Sequence, residues 1–246
     1  MRFAAIADVH GNHLALEAVL ADIRTQAIAD IVNLGDCCSG PLSAARTADS
    51  LMALGAVTVR GNHDRYLLEQ DPQAMGASDR AAFAQLSPSH LDWLHGLPFS
   101  AVYQSEVFLC HATPRQDDSY WLESVSPDGH VFAKPRAEIE ALAAGVDFPL
   151  ILCGHSHLPR AVRLSDGRLI VNPGSVGCPA YDDDRPYPHK AETGHPLASY
   201  AVLEKVEAGW TAQWRTVAYD HRAAAAVAAA AGRGDWASGL ATGWID

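Results

Sequence analysis

The sequence predicts an α/β fold in which parallel strands are connected by helices. Short apolar runs alternate with amphipathic segments in the first part of the chain, which is the order of a crossover-connected sheet. The chain has 246 residues, of which 48% are hydrophobic and 19% charged, as in an ordinary soluble globular protein with a substantial core. We expect one domain spanning residues 1–246.

The first elements follow a strand–helix–strand–helix–strand order. Apolar residues at helical spacing predict a helix from His13 to about Gln26. Pro41 can open a second helix, and Gly55 can close it. Short apolar runs predict strands at residues 2–7, 30–34 and 57–60. This order favours a parallel sheet with crossover helices.

Residues 65–98 are predicted to be helical, with breaks at Asp71-Pro72 and Ser87-Pro88. Ser89 is a suitable N-cap for the last of these helices. Strands and helices then resume. We expect strands at residues 101–103, 107–110, 150–153, 168–171, 199–203 and 211–217, and helices at 135–144 and 222–231.

Three segments have no periodic pattern. Residues 114–130 are polar and are expected to form a loop, whose length makes contact with a substrate reasonable. Residues 179–196 are rich in Pro, Asp and His and are expected to form a second loop, either a solvated one or a lid or oligomer contact. The tail after residue 231 is unpatterned.

Charge and cysteine content exclude several classes of protein. The net charge of −11 argues against tight nucleic-acid binding, so no stable nucleic-acid partner is expected. The five cysteines lack CxxC spacing, which indicates neither a disulfide framework nor a zinc ribbon. The N-terminus does not resemble a signal peptide, and no segment approaches the ~20 apolar residues that span a bilayer. We expect no membrane association and a cytoplasmic location.

Polar side chains follow six of the predicted strands. Residues i and i+2 of an extended chain point to the same side, so Asp8 and His10 should leave their strand on one face. The same spacing recurs in His155 and His157. The whole set is Asp8, His10, Asp36, Asn62, His63, His111, His155, His157 and Asn172. Because loops converge beyond the carboxyl ends of strands in open α/β sheets, these residues predict a metal site rather than scattered structural histidines.

The chemistry of these side chains limits the choice of metal. Imidazole, carboxylate and amide ligands without thiolate suit Mn, Fe, Ni, Co or Zn better than Ca or Mg. Four histidines, two aspartates and one asparagine of this set make seven candidate ligands, which exceed what one ion takes together with an open position for substrate. We therefore expect two divalent transition-metal ions, with Mn as the first expectation. Ions ~3.5–4 Å apart can activate a bridging water and hold phosphoryl oxygens during in-line displacement.

The motifs resemble those of the calcineurin-like metallophosphoesterase superfamily. They occur in the order of that family, from Met1 to about Leu203, and are Asp8-x-His10, Gly35-Asp36, Gly61-Asn62-His63-Asp64, His111 and Gly154-His155-Ser156-His157. Gly40-Pro41 and Asn172-Pro173-Gly174-Ser175-Val176-Gly177 are most similar to its small bacterial and archaeal branch of phosphodiesterases and symmetrical dinucleoside tetraphosphatase-like enzymes. The resemblance implies a four-layer α/β/β/α sandwich, with two central mixed β-sheets flanked by helices.

The resemblance also implies a role for each site residue. It assigns the first metal to Asp8, His10 and His157, the second to Asn62, His111 and His155, and the bridging position to Asp36. His63 matches the family's histidine near the leaving group, which acts as general acid. Asp64 either orients His63 or begins a helix, and Asn12 is a turn residue that could also face the phosphate.

The resulting hypothesis is a phosphodiesterase or phosphatase acting on small phosphoesters, with nucleotides and dinucleoside polyphosphates among the candidates. A hydroxide bridging the two metals would attack phosphorus in line, and His63 would protonate the leaving group. Two alternatives remain: a phosphoprotein phosphatase, and a non-catalytic scaffold protein of the same fold. Cys37-Cys38-Ser39 departs from the aliphatic and aromatic residues common in the family, which leaves substrate contacts at that position open.

Overall fold

Two five-stranded β-sheets pack face to face and carry helices on their outer sides. The computed structural model describes residues 1–246. In chain order the elements are β1 (Arg2–Ile6), α1 (His13–Thr25), β2 (Ile31–Asn33), α2 (Ala44–Leu54), β3 (Val57–Thr58), α3 (Asn62–Glu69), α4 (Ala77–Phe83), α5 (Pro88–His95), β4 (Ser100–Tyr103), β5 (Val107–Cys110), β6 (Glu123–Val125), β7 (Val131–Ala133), α6 (Arg136–Leu142), β8 (Leu150–Leu152), β9 (Arg160–Arg163), β10 (Leu169–Asn172), β11 (Ala180–Asp183), β12 (His189–Glu192), β13 (Ala198–Val206), β14 (Gly209–Val217), α7 (His221–Ala230) and α8 (Gly234–Thr242).

Both sheets are mixed and have a parallel centre. The first sheet has the order β14-β13-β1-β2-β3, and its strands β1, β2 and β3 are parallel. The second sheet has the order β4-β5-β8-β10-β9, and its strands β5, β8 and β10 are parallel. The predicted class, a four-layer sandwich with two central mixed sheets, is confirmed.

Side-chain alternation along the central strands builds the layers. In β1, Phe3 and Ala5 belong to the core between the sheets, whereas Ala4 and Ile6 pack with the helices outside the first sheet. In β8, Leu150 and Leu152 face the inter-sheet core, and Ile151 faces α6. A strand that is buried on both faces is apolar throughout, which explains the continuous apolar runs in the sequence.

The structure contradicts the predictions for the unpatterned segments. Residues 114–130 include β6, which pairs with β7, and residues 179–196 form a hairpin of β11 and β12. The tail contains α8, which packs with α7. These elements are short and polar or rich in Ala and Gly, so no apolar periodicity marks them in the sequence. No helix in the structure combines the length and apolar character needed to cross a bilayer.

Two helix starts also differ from their predictions. The helix expected to open at Pro41 begins at Ala44, after an N-cap at Ser43. The N-cap of α5 is Ser87, not Ser89, because Pro88 occupies the first helical position and the Ser87 hydroxyl accepts from the backbone N–H of His90. The predicted end of α2 at Gly55 is confirmed, and Gly55 adopts the left-handed conformation there.

Candidate metal centre

The loops after β1, β2, β3, β5 and β8 meet at the carboxyl ends of the parallel strands. Backbone hydrogen bonds join neighbouring loops: the N–H of His10 donates to the carbonyl of Asp36 at 3.0 Å, and that of Gly154 donates to the carbonyl of His111 at 2.6 Å. His111 also links the two sheets, since its Nδ1 lies 2.7 Å from the carbonyl oxygen of Leu34. The candidate residues therefore share one edge of the sandwich.

Left-handed backbone places most of the candidate side chains. Five of them have a positive φ, a conformation that non-glycine residues seldom adopt: Asp8 (55°), His10 (50°), Asp36 (54°), His155 (69°) and His157 (60°). The expectation that extended backbone aligns Asp8 with His10 is therefore wrong, because β1 ends at Ile6. The tight loops, not strand alternation, bring these side chains together.

The first cluster consists of Asp8, His10 and His157. One ligand atom from each lies within 4.8 Å of the others, and all three residues are buried. Nε2 of His10 is 3.1 Å from Nε2 of His157, which in turn is 3.5 Å from Oδ1 of Asp8. Asp8 also accepts the backbone N–H of His155 at 3.2 Å, which fixes its carboxylate.

The second cluster consists of Asp36, His111 and His155, again within 4.8 Å of one another. Oδ1 of Asn62 is 3.0 Å from Nε2 of His111 and extends this cluster. Oδ2 of Asp36 lies 3.3 Å from Nε2 of His111 and 3.7 Å from Nε2 of His10. Asp36 thus lies between the two clusters. Of the two nearby histidines, His157 belongs to the first cluster and His155 to the second.

The hydrogen bonds of the histidines test whether a metal ion fits. In three of them Nδ1 lies within 2.8 Å of a backbone carbonyl oxygen: His10 with Ser39, His111 with Leu34 and His157 with Cys178. A carbonyl only accepts, so Nδ1 carries the hydrogen and a neutral ring leaves a lone pair on Nε2. The lone pairs of His10 and His157 would then face each other at 3.1 Å. A cation with ~2.1 Å bonds to both nitrogens resolves this contact, so the donor set fits a metal ion.

The electrostatics also favour cation binding. Burial, together with the charge of neighbouring histidines, lowers the pKa of His10 to about 4 and that of His155 to about 3. These two rings are therefore neutral at pH 7, as metal ligands must be. Burial lowers the pKa of His111 and His157 too, but Asp36 and Asp8 more than offset it, raising the pKa of His111 to about 9 and that of His157 well above its usual range. His111 and His157 would therefore release a proton when a metal ion binds. Burial raises the pKa of Asp36, but the positive charge of His111 and its other histidine neighbours outweighs this effect and holds the pKa well below the usual range. A buried carboxylate that stays ionised is a strong cation ligand.

His63 lies beside the clusters but belongs to neither. It is the second residue of α3, its side chain is 32% exposed, and its ring centroid is 5.5 Å from that of His10. Nδ1 is 2.8 Å from Oδ1 of Asp79 in α4. Burial lowers the pKa of His63, but the charges of Asp36 and Asp79 more than offset this and raise it to about 9. Bound cations would oppose that rise.

Asp64 does not orient His63. Its carboxylate accepts three backbone N–H groups, those of Asp36, Cys37 and Gly61, at 2.9–3.0 Å. Burial and the charge of Asp36 raise the pKa of Asp64 to about 6. Asp64 therefore ties the loop after β2 to the start of α3, and of the two roles considered for it the structure supports the helix start.

Two asparagines of the candidate motifs are structural. The side chain of Asn12 caps α1 by accepting from the N–H of Ala15 at 3.2 Å, and its amide donates to the carbonyl of Gly177 at 3.0 Å. The amide of Asn172 donates to the carbonyl of Gly154 at 2.8 Å and supports the loop that carries His155 and His157. Both side-chain amides therefore hold neighbouring loops together.

A cavity of about 1200 Å³ opens above the clusters. The segment 114–130 contributes Tyr120 to its wall, and the hairpin of β11 and β12 contributes Tyr181. The sequence did not predict α8, which contributes Trp236 and, at its N-cap, Arg233. The ring of Tyr181 lies 4.5 Å from that of His157, so these walls reach the clusters.

The comparisons with known proteins agree with this geometry. Over 217 residues the chain is 27% identical to an uncharacterised protein of Methanocaldococcus jannaschii, with 82% of each chain covered. The crystal structure of a metallophosphoesterase from Sphaerobacter thermophilus superposes with a TM-score of 0.76 at 26% identity and covers 99% of both chains. Residues 1–188 match the calcineurin-like phosphoesterase superfamily domain. The resemblance drawn from the motifs is confirmed, and the chain belongs to the calcineurin-like phosphoesterase superfamily.

Proposed function

We propose that the protein is a metal-dependent hydrolase of small phosphoesters that uses two divalent transition-metal ions, Mn before Fe, Ni, Co or Zn. The observation that carries the proposal is the position of Asp36, whose Oδ2 lies within 3.7 Å of a histidine from each cluster. In this proposal Asp8, His10 and His157 hold one ion, Asn62, His111 and His155 hold the other, and Asp36 binds both.

Bound ions of this kind supply an acidified water and polarise the phosphoryl oxygens. The protein's own contribution to the leaving group is the imidazole of His63. Because Nδ1 is engaged by Asp79, Nε2 is the ring nitrogen left for a substrate. In the imidazolium Nε2–H can donate to the oxygen that departs as the P–O bond breaks, which is the role of a general acid.

The cavity favours a small substrate over a protein. It is walled by segment 114–130 on one side and by the hairpin and α8 on others, so a phosphorylated loop of a folded protein would have to pass between these walls. The complete donor set and the additional His63 favour catalysis over a scaffold function. A site retained only for structure has no need of a partly exposed imidazole beside two candidate metal-binding clusters.

The test combines metal content with turnover. Bis-nitrophenyl phosphate, nitrophenyl phosphate and diadenosine tetraphosphate are offered with several divalent metals, and bound metal is counted by mass spectrometry. We expect two ions per chain and hydrolysis of at least one substrate. Inactivity on all three with two ions bound would favour the scaffold function.

Asp36→Asn tests the bridging role, with Asp30→Asn as its control. Asp30 is exposed and lies just before β2, whereas Asp36 follows that strand. We expect Asp36→Asn to bind fewer than two ions and to lose turnover, and Asp30→Asn to behave as the wild type. Undiminished activity of Asp36→Asn in excess Mn would exclude the bridging role.

A further inference from the structure

The surroundings of His63 indicate what kind of leaving group the site receives. A general acid must be within hydrogen-bond reach of the departing oxygen, so the group attached to that oxygen occupies the part of the cavity next to His63. The ring of Tyr66 lies 5.4 Å from the His63 ring at an interplanar angle of 80°. On the other side the rings of His10 and Trp236 follow at 5.5 Å and a further 6.0 Å. A continuous row of flat side chains therefore borders this space.

Trp236 is held in place by contacts outside the metal clusters. Gly40 leaves room for it, since a Cβ on Gly40 would lie 3.0 Å from its Cη2 and 2.5 Å from the carbonyl oxygen of His10. The guanidinium of Arg233 lies 5.9 Å from the Trp236 ring centroid and donates to Oγ of Ser78 at 2.9 Å. A ring fixed in this way is a preorganised surface for stacking.

The charges along the cavity do not favour a second phosphate. Apart from His63, its cationic side chains are Arg65, Lys134, Arg185 and Arg233. Arg65 is engaged by Asp117 through two hydrogen bonds of 2.7 Å, and Arg233 is engaged by Asp235. Lys134 donates to the carbonyl of Tyr120 at 2.6 Å.

Arg185 is exposed at the hairpin turn, directly after the acidic run Asp182-Asp183-Asp184. Asp118, Asp182 and Asp183 add negative charge to the same walls. The cavity away from the metal clusters is thus not a polyanion site.

We propose that Trp236, at one end of this row, is the stacking surface of a subsite for an uncharged planar ring on the leaving-group side of the phosphoester. The proposal rests on the proposed function, because it presumes that a phosphoryl group binds at the clusters. It favours esters of aromatic alcohols or of nucleosides and disfavours dinucleoside polyphosphates, whose leaving group is itself polyanionic.

The test measures binding without turnover. Methylphosphonate, phenylphosphonate, cyclohexylphosphonate and 4-carboxyphenylphosphonate are titrated calorimetrically into the metal-loaded protein. We expect phenylphosphonate to bind roughly tenfold more tightly than methylphosphonate, the size of one aromatic stacking contact. Cyclohexylphosphonate and 4-carboxyphenylphosphonate should bind more weakly than phenylphosphonate, the first for lack of a planar ring and the second for its added charge.

Variants of Trp236 test whether its ring causes the preference for phenylphosphonate. Trp236→Ala should reduce the preference for phenylphosphonate severalfold and leave the affinity for methylphosphonate unchanged, and Trp236→Phe should restore most of it. Trp244→Ala is the matched control, because Trp244 is 53% exposed and does not line the cavity. Equal binding of methyl- and phenylphosphonate, or equal binding of the phenyl and cyclohexyl compounds, overturns the subsite. Failure of every phosphonate to bind overturns the proposed function instead.

Discussion

His63 and Asp79 form a hydrogen bond of 2.8 Å between two helices, α3 and α4. Both residues line the cavity, but they differ in exposure: Asp79 is 4% exposed, whereas the side chain of His63 is 32% exposed. The carboxylate therefore holds one ring nitrogen inside the protein and leaves the other toward the substrate space. This is the arrangement by which a buried acid orients a catalytic imidazole.

Asp79→Asn should weaken general-acid catalysis without disturbing the metal clusters. An amide cannot stabilise the imidazolium as a carboxylate does, so we expect kcat to fall about 10–100-fold for alkyl leaving groups. The fall should be much smaller for nitrophenolate, which needs little protonation on departure. The measurement is kcat over a series of phosphoesters whose leaving groups differ in pKa.

The control for this series is Asp49→Asn. Asp49 also pairs with a histidine, His90, at 3.0 Å, but neither residue lines the cavity. Asp49→Asn should leave kcat unchanged for every leaving group. A uniform loss across the series for Asp79→Asn would show a general structural effect and rule out the positioning of His63.

The Asp79 contact also marks a limit of sequence analysis. His63 could be found because it belongs to a motif with recognisable neighbours. Asp79 lies 16 residues further on, within a short helix whose sequence carries no motif. Asp64, adjacent to His63, was the natural candidate, but its carboxylate accepts backbone N–H groups of buried loops. Adjacency in sequence says little about which way a side chain points at the start of a helix.

The same contrast holds for the fold. Strands buried on both faces, such as β8, produce apolar runs that are visible in sequence. The hairpin of β11 and β12 forms because its backbone groups pair with each other. Asp182 lies opposite Lys190, and no apolar pattern in the sequence predicts this register. The cavity walls are built largely from such elements. The motifs that carry the candidate ligands can therefore be predicted from the sequence, whereas the walls of the cavity cannot.

Removing metal should lower thermal stability as well as activity. A ligand that binds only the folded state stabilises it by about 2.7 kcal/mol at a concentration of 100 times its Kd. We expect dialysis against a chelator to lower Tm by several degrees and added Mn to restore it. Asp36→Asn should show a smaller response to Mn, and Asp30→Asn the full response. A Tm that does not respond to Mn in the wild type, measured by scanning calorimetry, contradicts metal binding at these clusters.

Stability should fall in acid partly because of Asp22. Hydrogen bonds from Arg215 lower the pKa of the Asp22 carboxyl; burial acts in the opposite direction, and the hydroxyl of Tyr200 also donates to it, at 2.6 Å. A carboxyl whose folded pKa is depressed stabilises the protein above its unfolded pKa of ~3.9 and loses that contribution as the pH falls through the folded value.

Asp22→Asn should therefore be less stable than wild type at pH 7, by about 1 kcal/mol. The difference should shrink as the pH falls below ~4, where Asp22 of the unfolded chain takes up a proton while Asp22 of the folded protein stays ionised until its lower pKa is reached. Urea unfolding at a series of pH values measures this difference in stability, with Asp30→Asn as the exposed control. The measurements should extend to pH 2.5, which is ~1.4 pH units below the unfolded pKa. A difference that stays constant over this range would show that the charge of Asp22 does not contribute to stability.

Gly177→Ala should be strongly destabilising, because the loop after β10 passes directly over the loop that carries Asp8 and His10. A Cβ on Gly177 would lie 1.7 Å from the carbonyl oxygen of Val9 and 2.8 Å from Cβ of Asn12, and backbone cannot yield as a flexible side chain can. We expect a loss of about 3 kcal/mol or more in the free energy of unfolding. Gly234→Ala is the control, since a Cβ there meets nothing within 4 Å. Because the clash displaces Val9, between two proposed ligands, the folded fraction of Gly177→Ala should also bind Mn more weakly than Gly234→Ala. Wild-type stability of Gly177→Ala in urea would show that the two loops are not in contact.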